Sequence, residues 1–230
     1  MDQAKRFGRL AGVTCLLAGA CYVACGVVVA AAVSFNLSLA AFSGTMITIG
    51  PGGAELLRWG MVLDGLGSYL LLGPLALYLW DGFKPERPAL ANLYSLCGLA
   101  YILVGAMGAF ALAAALPPLI VAYGPASAAQ RETLQVVFDT TFNVVYRGLW
   151  NPLEVVLLGV WLLGVGPWIA STRPALGRFT QLVGLAGLLD AVGAVLGLEP
   201  VFTVGVSVLL ALLPVWMVWW GMDLLWRLNG

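Results

Sequence analysis

The chain has 230 residues, 61% of them hydrophobic and only 10% charged, with a mean hydropathy of +0.97. A globular domain runs about 45–50% apolar and about 25% charged, so a water-facing surface cannot be built here and the composition gives an all-α, multi-pass membrane protein, one domain over residues 1–230. Eleven basic residues balance eleven acidic ones and histidine is absent, which argues against nucleic-acid binding, haem, non-haem iron and His-ligated zinc; no cofactor or metal is expected.

A bilayer core takes about 20 helical residues. Six segments qualify, roughly 10–33, 59–80, 92–116, 140–169, 179–198 and 201–226. Lys5, Arg6 and Arg9 precede the first, as in a signal peptide, but the apolar run continues unbroken through Val33, so it reads as a retained helix. Its stripe Ala11, Cys15, Ala18, Tyr22, Cys25, Val29 and Ala32 suits close helix packing, with the cysteines as small packing residues. A quinone-linked thiol oxidoreductase is the other reading of these thiols.

Glu55, Arg58 and Asp64 stand near the outer end of the second segment. The loop from Asp81 to Pro88 separates it from the third, which carries no charge. In the fourth segment Asp139, Asn143, Arg147 and Asn151 recur every four residues and Glu154 follows. At roughly 100° per residue they fall within an arc of about 120°, bordered by Tyr146 and Trp150. Pro152 removes the amide bond to the Gly148 carbonyl and predicts a kink there. Counting about 20 residues outward from Trp168 puts the outer boundary near Leu149, with Asn151 and Glu154 inside and Asp139 and Asn143 toward solvent.

In the fifth segment Asp190 stands alone among apolar and small residues. A charge at that depth costs about 2.5–3.5 kcal/mol, so an unpartnered acid is expected to be held neutral. It either lines a polar cavity or locks two helices through a hydrogen bond. Arg147 is too shallow to reach it, so no arginine pair is expected. Ion pairs from Arg58 or Arg147 to Asp64, Asp139 or Glu154 form the bland alternative for the rest. Glu199-Pro200 makes a tight link to the sixth segment.

One proposed side carries Lys5, Arg6, Arg9, Lys84, Arg87, Arg173, Arg178 and Arg227, against Arg58, Arg131 and Arg147 on the other. The positive-inside rule therefore puts both termini in the cytoplasm. An internal echo joins Arg87-Pro88-Ala89-Leu90 to Arg173-Pro174-Ala175-Leu176, as duplicated hairpins would.

Three stretches carry a resemblance. These are Ala4-Lys5-Arg6-Phe7-Gly8-Arg9, then Pro174-Ala175-Leu176-Gly177-Arg178-Phe179, and the close on Trp219-Trp220-Gly221-Met222-Asp223. With them the chain resembles an uncharacterised family of bacterial six-helix membrane proteins, domain of unknown function 4386. The resemblance implies a six-helix protein of the bacterial inner membrane and brings no catalytic residues.

The leading reading is a bundle holding a small lipophilic or amphipathic molecule, besides membrane lipids, in an outward-opening pocket with Asp190 at its floor. Asp190 or Glu154 would be the acid in isomerase- or cyclase-type chemistry. Arg58 and Arg147 would hold an anionic group, Trp150 would contact the apolar body, and Asp64, Asp139, Asn143 and Asn151 would complete the wall. The alternatives are a non-catalytic assembly subunit docking through Gly98, Gly105, Gly193 and Gly197, or a small proton-coupled transporter using Asp190. No phosphate-binding loop suggests a nucleotide-driven process.

Overall fold

The computed structural model describes residues 3–36 and 43–229 of the chain. Among them there is no strand, and six helices are long and apolar enough to cross a membrane. They are α1 (Gln3–Ala32), α2 (Gly50–Phe83), α3 (Pro88–Tyr123), α4 (Ala128–Thr172), α5 (Pro174–Leu196) and α6 (Glu199–Asn229). Each packs on its neighbours in sequence, and α6 closes on α1, so the bundle is a ring in chain order. Tyr101, Trp161 and Trp216 fill its centre, almost wholly buried.

Small residues set the seams. Along the antiparallel α1–α6 contact, Gly12 meets Leu225, Gly19 meets Val218 and Gly221 meets Leu16. Ala11, Cys15 and Ala18 of the α1 stripe are fully buried. All four cysteines are free thiols. The duplicated arginine-proline pairs share one backbone geometry: Arg87 has φ −144° and ψ 75°, Arg173 φ −139° and ψ 73°. Each proline then starts a helix, where its missing N–H leaves no bond unmade.

Three of the four glycines expected to form docking faces are used inside the bundle instead. Gly98 receives the Trp161 ring, Gly105 the Tyr69 ring and Gly193 the Phe202 backbone, while Gly197 ends α5 in a left-handed conformation at φ +66°. Glycine here makes room for large neighbours within the chain.

Two helices widen locally. In α4 the span Val144–Glu154 is wound as a π-helix, and the Val155 N–H donates to the Trp150 carbonyl five residues back. Pro152 lies in this span and has no N–H to give, so the α ladder cannot run through it. In α2, Gly65–Tyr69 is a second π turn, followed by a 3-10 turn at Leu70–Leu72 before Pro74 restarts an α-helix. Tyr69 leaves helical geometry there, at φ −132° and ψ −77°. The first break was expected as a simple kink; the second was not expected.

Candidate functional site

The two widened turns face each other across a cavity of about 170 Å³ in the middle of the ring. From α2 come Asp64, Ser68 and Tyr69; from α4 come Tyr146, Trp150, Asn151 and Glu154. Asp190 enters from α5, Tyr101 from α3 and Tyr22 from α1, and α6 closes the space with Val206, Leu209, Leu210 and Leu213. Glu154 and Asn151 are 5% exposed and Asp190 1%. π turns shift side-chain direction relative to an α-helix and recur at functional sites, and here they aim α2 and α4 at one space.

Most polar atoms around the cavity have a partner. The Tyr69 hydroxyl donates to Glu154 Oε2 at 3.0 Å, and its ring fits only because Gly105 lacks a side chain: a Cβ there would lie 1.9 Å from Tyr69 Cε1. Tyr101 donates to the Ser68 carbonyl at 2.9 Å, and Ser68 Oγ to Asp64 Oδ1 at 2.5 Å. Trp150 Nε1 donates to the Gly105 carbonyl at 3.3 Å, and Asn151 Nδ2 to the Tyr146 carbonyl at 2.6 Å. The Tyr22 hydroxyl donates at 3.1 Å to the Leu210 carbonyl. Pro214, four residues on, has no N–H for that carbonyl, so α1 satisfies a group that α6 cannot.

Asp190 is the exception. Both its carboxyl oxygens are buried with no hydrogen-bond partner among the described residues. Its backbone is pinned against α6, where a Cβ on Gly205 would come within 2.3 Å of the Asp190 nitrogen. A rigid, close helix crossing thus presents an acid that no protein group neutralises.

The sequence-based set divides in two. Asp64, Trp150, Asn151, Glu154 and Asp190 come together at the cavity. Arg58, Asp139, Asn143 and Arg147 do not line it. Arg58 is exposed and pairs with Glu55 one turn away, and Trp59 donates to the same glutamate at 3.0 Å. Arg147 lies 3.9 Å from Glu199 on the exposed rim. Asp139 accepts from Gln135 at 3.1 Å, beside the short helical turn Ser43–Met46, and Asn143 donates to the Asp139 carbonyl at 2.7 Å. The common 120° arc fails because the winding changes at Val144, so the outer half of the row faces elsewhere. Ion pairs from Arg58 or Arg147 to Asp64, Asp139 or Glu154, the bland explanation, do not form, and among the described residues no basic side chain lines the cavity to hold an anion.

Sequence reasoning missed Tyr22, Ser68, Tyr69 and Tyr101. For the three tyrosines the signal was their mid-span position, away from the membrane interfaces where tyrosine is normally enriched; Ser68 carried none. A smaller pocket of about 60 Å³ lies toward the Glu199 end, and Asn151 lines both it and the main cavity. Larger grooves occur at the Trp168 end and beside Ala122–Leu134, but neither holds a buried unpartnered acid. Among the described residues no three acidic or thiol side chains come close enough to hold one metal ion. No family model, curated protein or solved structure matches this chain.

Proposed function

We propose that this integral membrane protein takes a small lipophilic or amphipathic molecule into the central cavity and exchanges a proton with it through Glu154 and Asp190. The observation that carries this reading is Asp190 itself, a buried acid without a protein partner, facing a cavity that a second buried acid shares. Buried polar groups are paired in the great majority of cases, and an intramembrane exception points to function. Two carboxyl groups on different helices can take a proton from one atom of a bound molecule and return one to another, as an isomerisation or cyclisation requires. A proton-coupled carrier is the second reading, favoured by Asn151 standing between the cavity and the outer pocket. The charge asymmetry supports cytoplasmic termini, and a place in a bacterial inner membrane rests on the resemblance to a six-helix family, with which the six spans accord.

Diisopropylcarbodiimide tests this reading, because it is membrane-soluble and condenses with protonated carboxyl groups. Peptide mass analysis of the treated protein is expected to find the adduct on Asp190 or Glu154, with little on Glu199. Modification confined to exposed acids would show that no small lipophilic molecule reaches the cavity and would end the proposal.

A further inference from the structure

The chemistry facing the cavity is one-sided. Five of its hydroxyl and indole donors are committed to protein acceptors: Tyr22 to Leu210, Ser68 to Asp64, Tyr69 to Glu154, Tyr101 to Ser68 and Trp150 to Gly105, while the Tyr146 hydroxyl makes no such bond among the described residues. What remains for a ligand are chiefly carboxyl oxygens, above all the two of Asp190, and the faces of aromatic rings, with the Tyr146 hydroxyl and one Asn151 amide hydrogen beside them. Three acids line the space and, among the described residues, no lysine or arginine does. An anion would meet three carboxyl groups and mostly spent donors. A cation would meet acceptors and π systems, and cation–π attraction strengthens where water is excluded.

Resting on the ligand-binding reading above, we infer that the cavity's ligand class is a hydrophobic organic ammonium ion, its charged nitrogen set against Asp190 and boxed by Tyr69, Tyr101, Tyr146 and Trp150. A cavity of about 170 Å³ is roughly the size that takes one six-membered ring, so it holds the head group and not a long tail. The wall at Leu210, which lines the cavity while 56% exposed on the apolar surface, gives the tail a route into lipid beside the Tyr22 hydrogen bond. The charge balances with Asp190 ionised: a carboxylate–ammonium pair forms, and any proton the acid carried before binding goes to bulk water. The titratable groups facing that exchange are Tyr22 on α1, Asp64 and Tyr69 on α2, Tyr101 on α3, Tyr146 and Glu154 on α4, and Asp190 on α5; α6 contributes none to the lining.

The test is calorimetric titration of the full chain in an uncharged maltoside detergent. The probes are hexyltrimethylammonium, hexanesulfonate and a neutral hexyl compound whose head is tert-butyl in place of trimethylammonium. The proposal expects saturable binding of the ammonium, with any proton that Asp190 gives up read from the heat in two buffers of different ionisation enthalpy. It expects no binding of the sulfonate and at least tenfold weaker binding of the neutral compound. Asp190→Asn should weaken ammonium binding at least tenfold and abolish any such proton release. Val206→Phe, which fills the cavity from α6 and leaves the acids in place, should block binding and serves if the aspartate variant does not fold. Equal binding of the neutral compound would overturn the cation and leave the cavity as a lipophilic site. Absence of all binding, with carbodiimide still modifying Asp190 or Glu154, would overturn the ammonium proposal alone; absence of both would overturn the two readings together.

Discussion

Asp190 and Asp223 both lie on membrane-spanning helices, yet their surroundings are opposite. Asp223 sits near the end of α6 between two arginines, 3.2 Å from Arg173 and 3.0 Å from Arg227. Arg173 in turn lies over the Trp220 ring at 5.1 Å. Among the described residues no cation lines the cavity with Asp190, and neither of its oxygens has a partner. The chain therefore supplies an arginine where an acid ties helices together, and withholds one at the cavity. A structural acid is recognised by what it is bonded to, and the cavity acid by what it is not.

Breaking the structural side of this contrast should have the largest effect. Asp223→Ala leaves Arg173, only 16% exposed, without its carboxylate, and should lower unfolding free energy by about 2–3 kcal/mol in a denaturant titration in mixed micelles. Next, Gly105→Ala puts a methyl group into the Tyr69 ring. Overpacking of this kind costs about 1–3 kcal/mol, and it should also displace Tyr69 from Glu154, seen as altered near-ultraviolet tyrosine absorption. Tyr22→Phe removes the partner of the Leu210 carbonyl beside the cavity; about 1 kcal/mol should be lost. At the small end, Arg147→Ala breaks a 3.9 Å contact between two mostly exposed side chains, and the change should stay below about 0.5 kcal/mol. A large loss there would mean that the rim pair, and not the cavity, organises this part of α4.

Much of this architecture was legible in the sequence, for identifiable reasons. Span lengths and the breaks at Asp81–Pro88 and Glu199-Pro200 mark six helices because lipid demands about 20 apolar residues per crossing. Asn151, Glu154 and Asp190 stood out because polar groups are rare at that depth. The outer row of α4 misled because a 100° wheel presumes α winding, and Pro152 lies within eleven residues wound as a π-helix, beginning at Val144. Arg58 and Arg147 misled because a long side chain can bond along the rim, to Glu55 and Glu199, as readily as inward. The tyrosines were hidden for another reason. Tyr69 reaches Glu154 only through the break at Gly65–Leu72 and the slot at Gly105 on a different helix, and no local pattern encodes that meeting.

Whether Asp190 is a site or a tie is measured directly by comparing Asp190→Asn with Asp223→Asn in the same unfolding titration. A carboxyl that makes no hydrogen bond to protein loses none on becoming an amide, so Asp190→Asn should shift stability by less than about 1 kcal/mol. Asp223→Asn removes the charge between two arginines and should be clearly destabilised, by about 2 kcal/mol. If Asp190→Asn falls as far as Asp223→Asn, Asp190 is holding helices together and is not a ligand site.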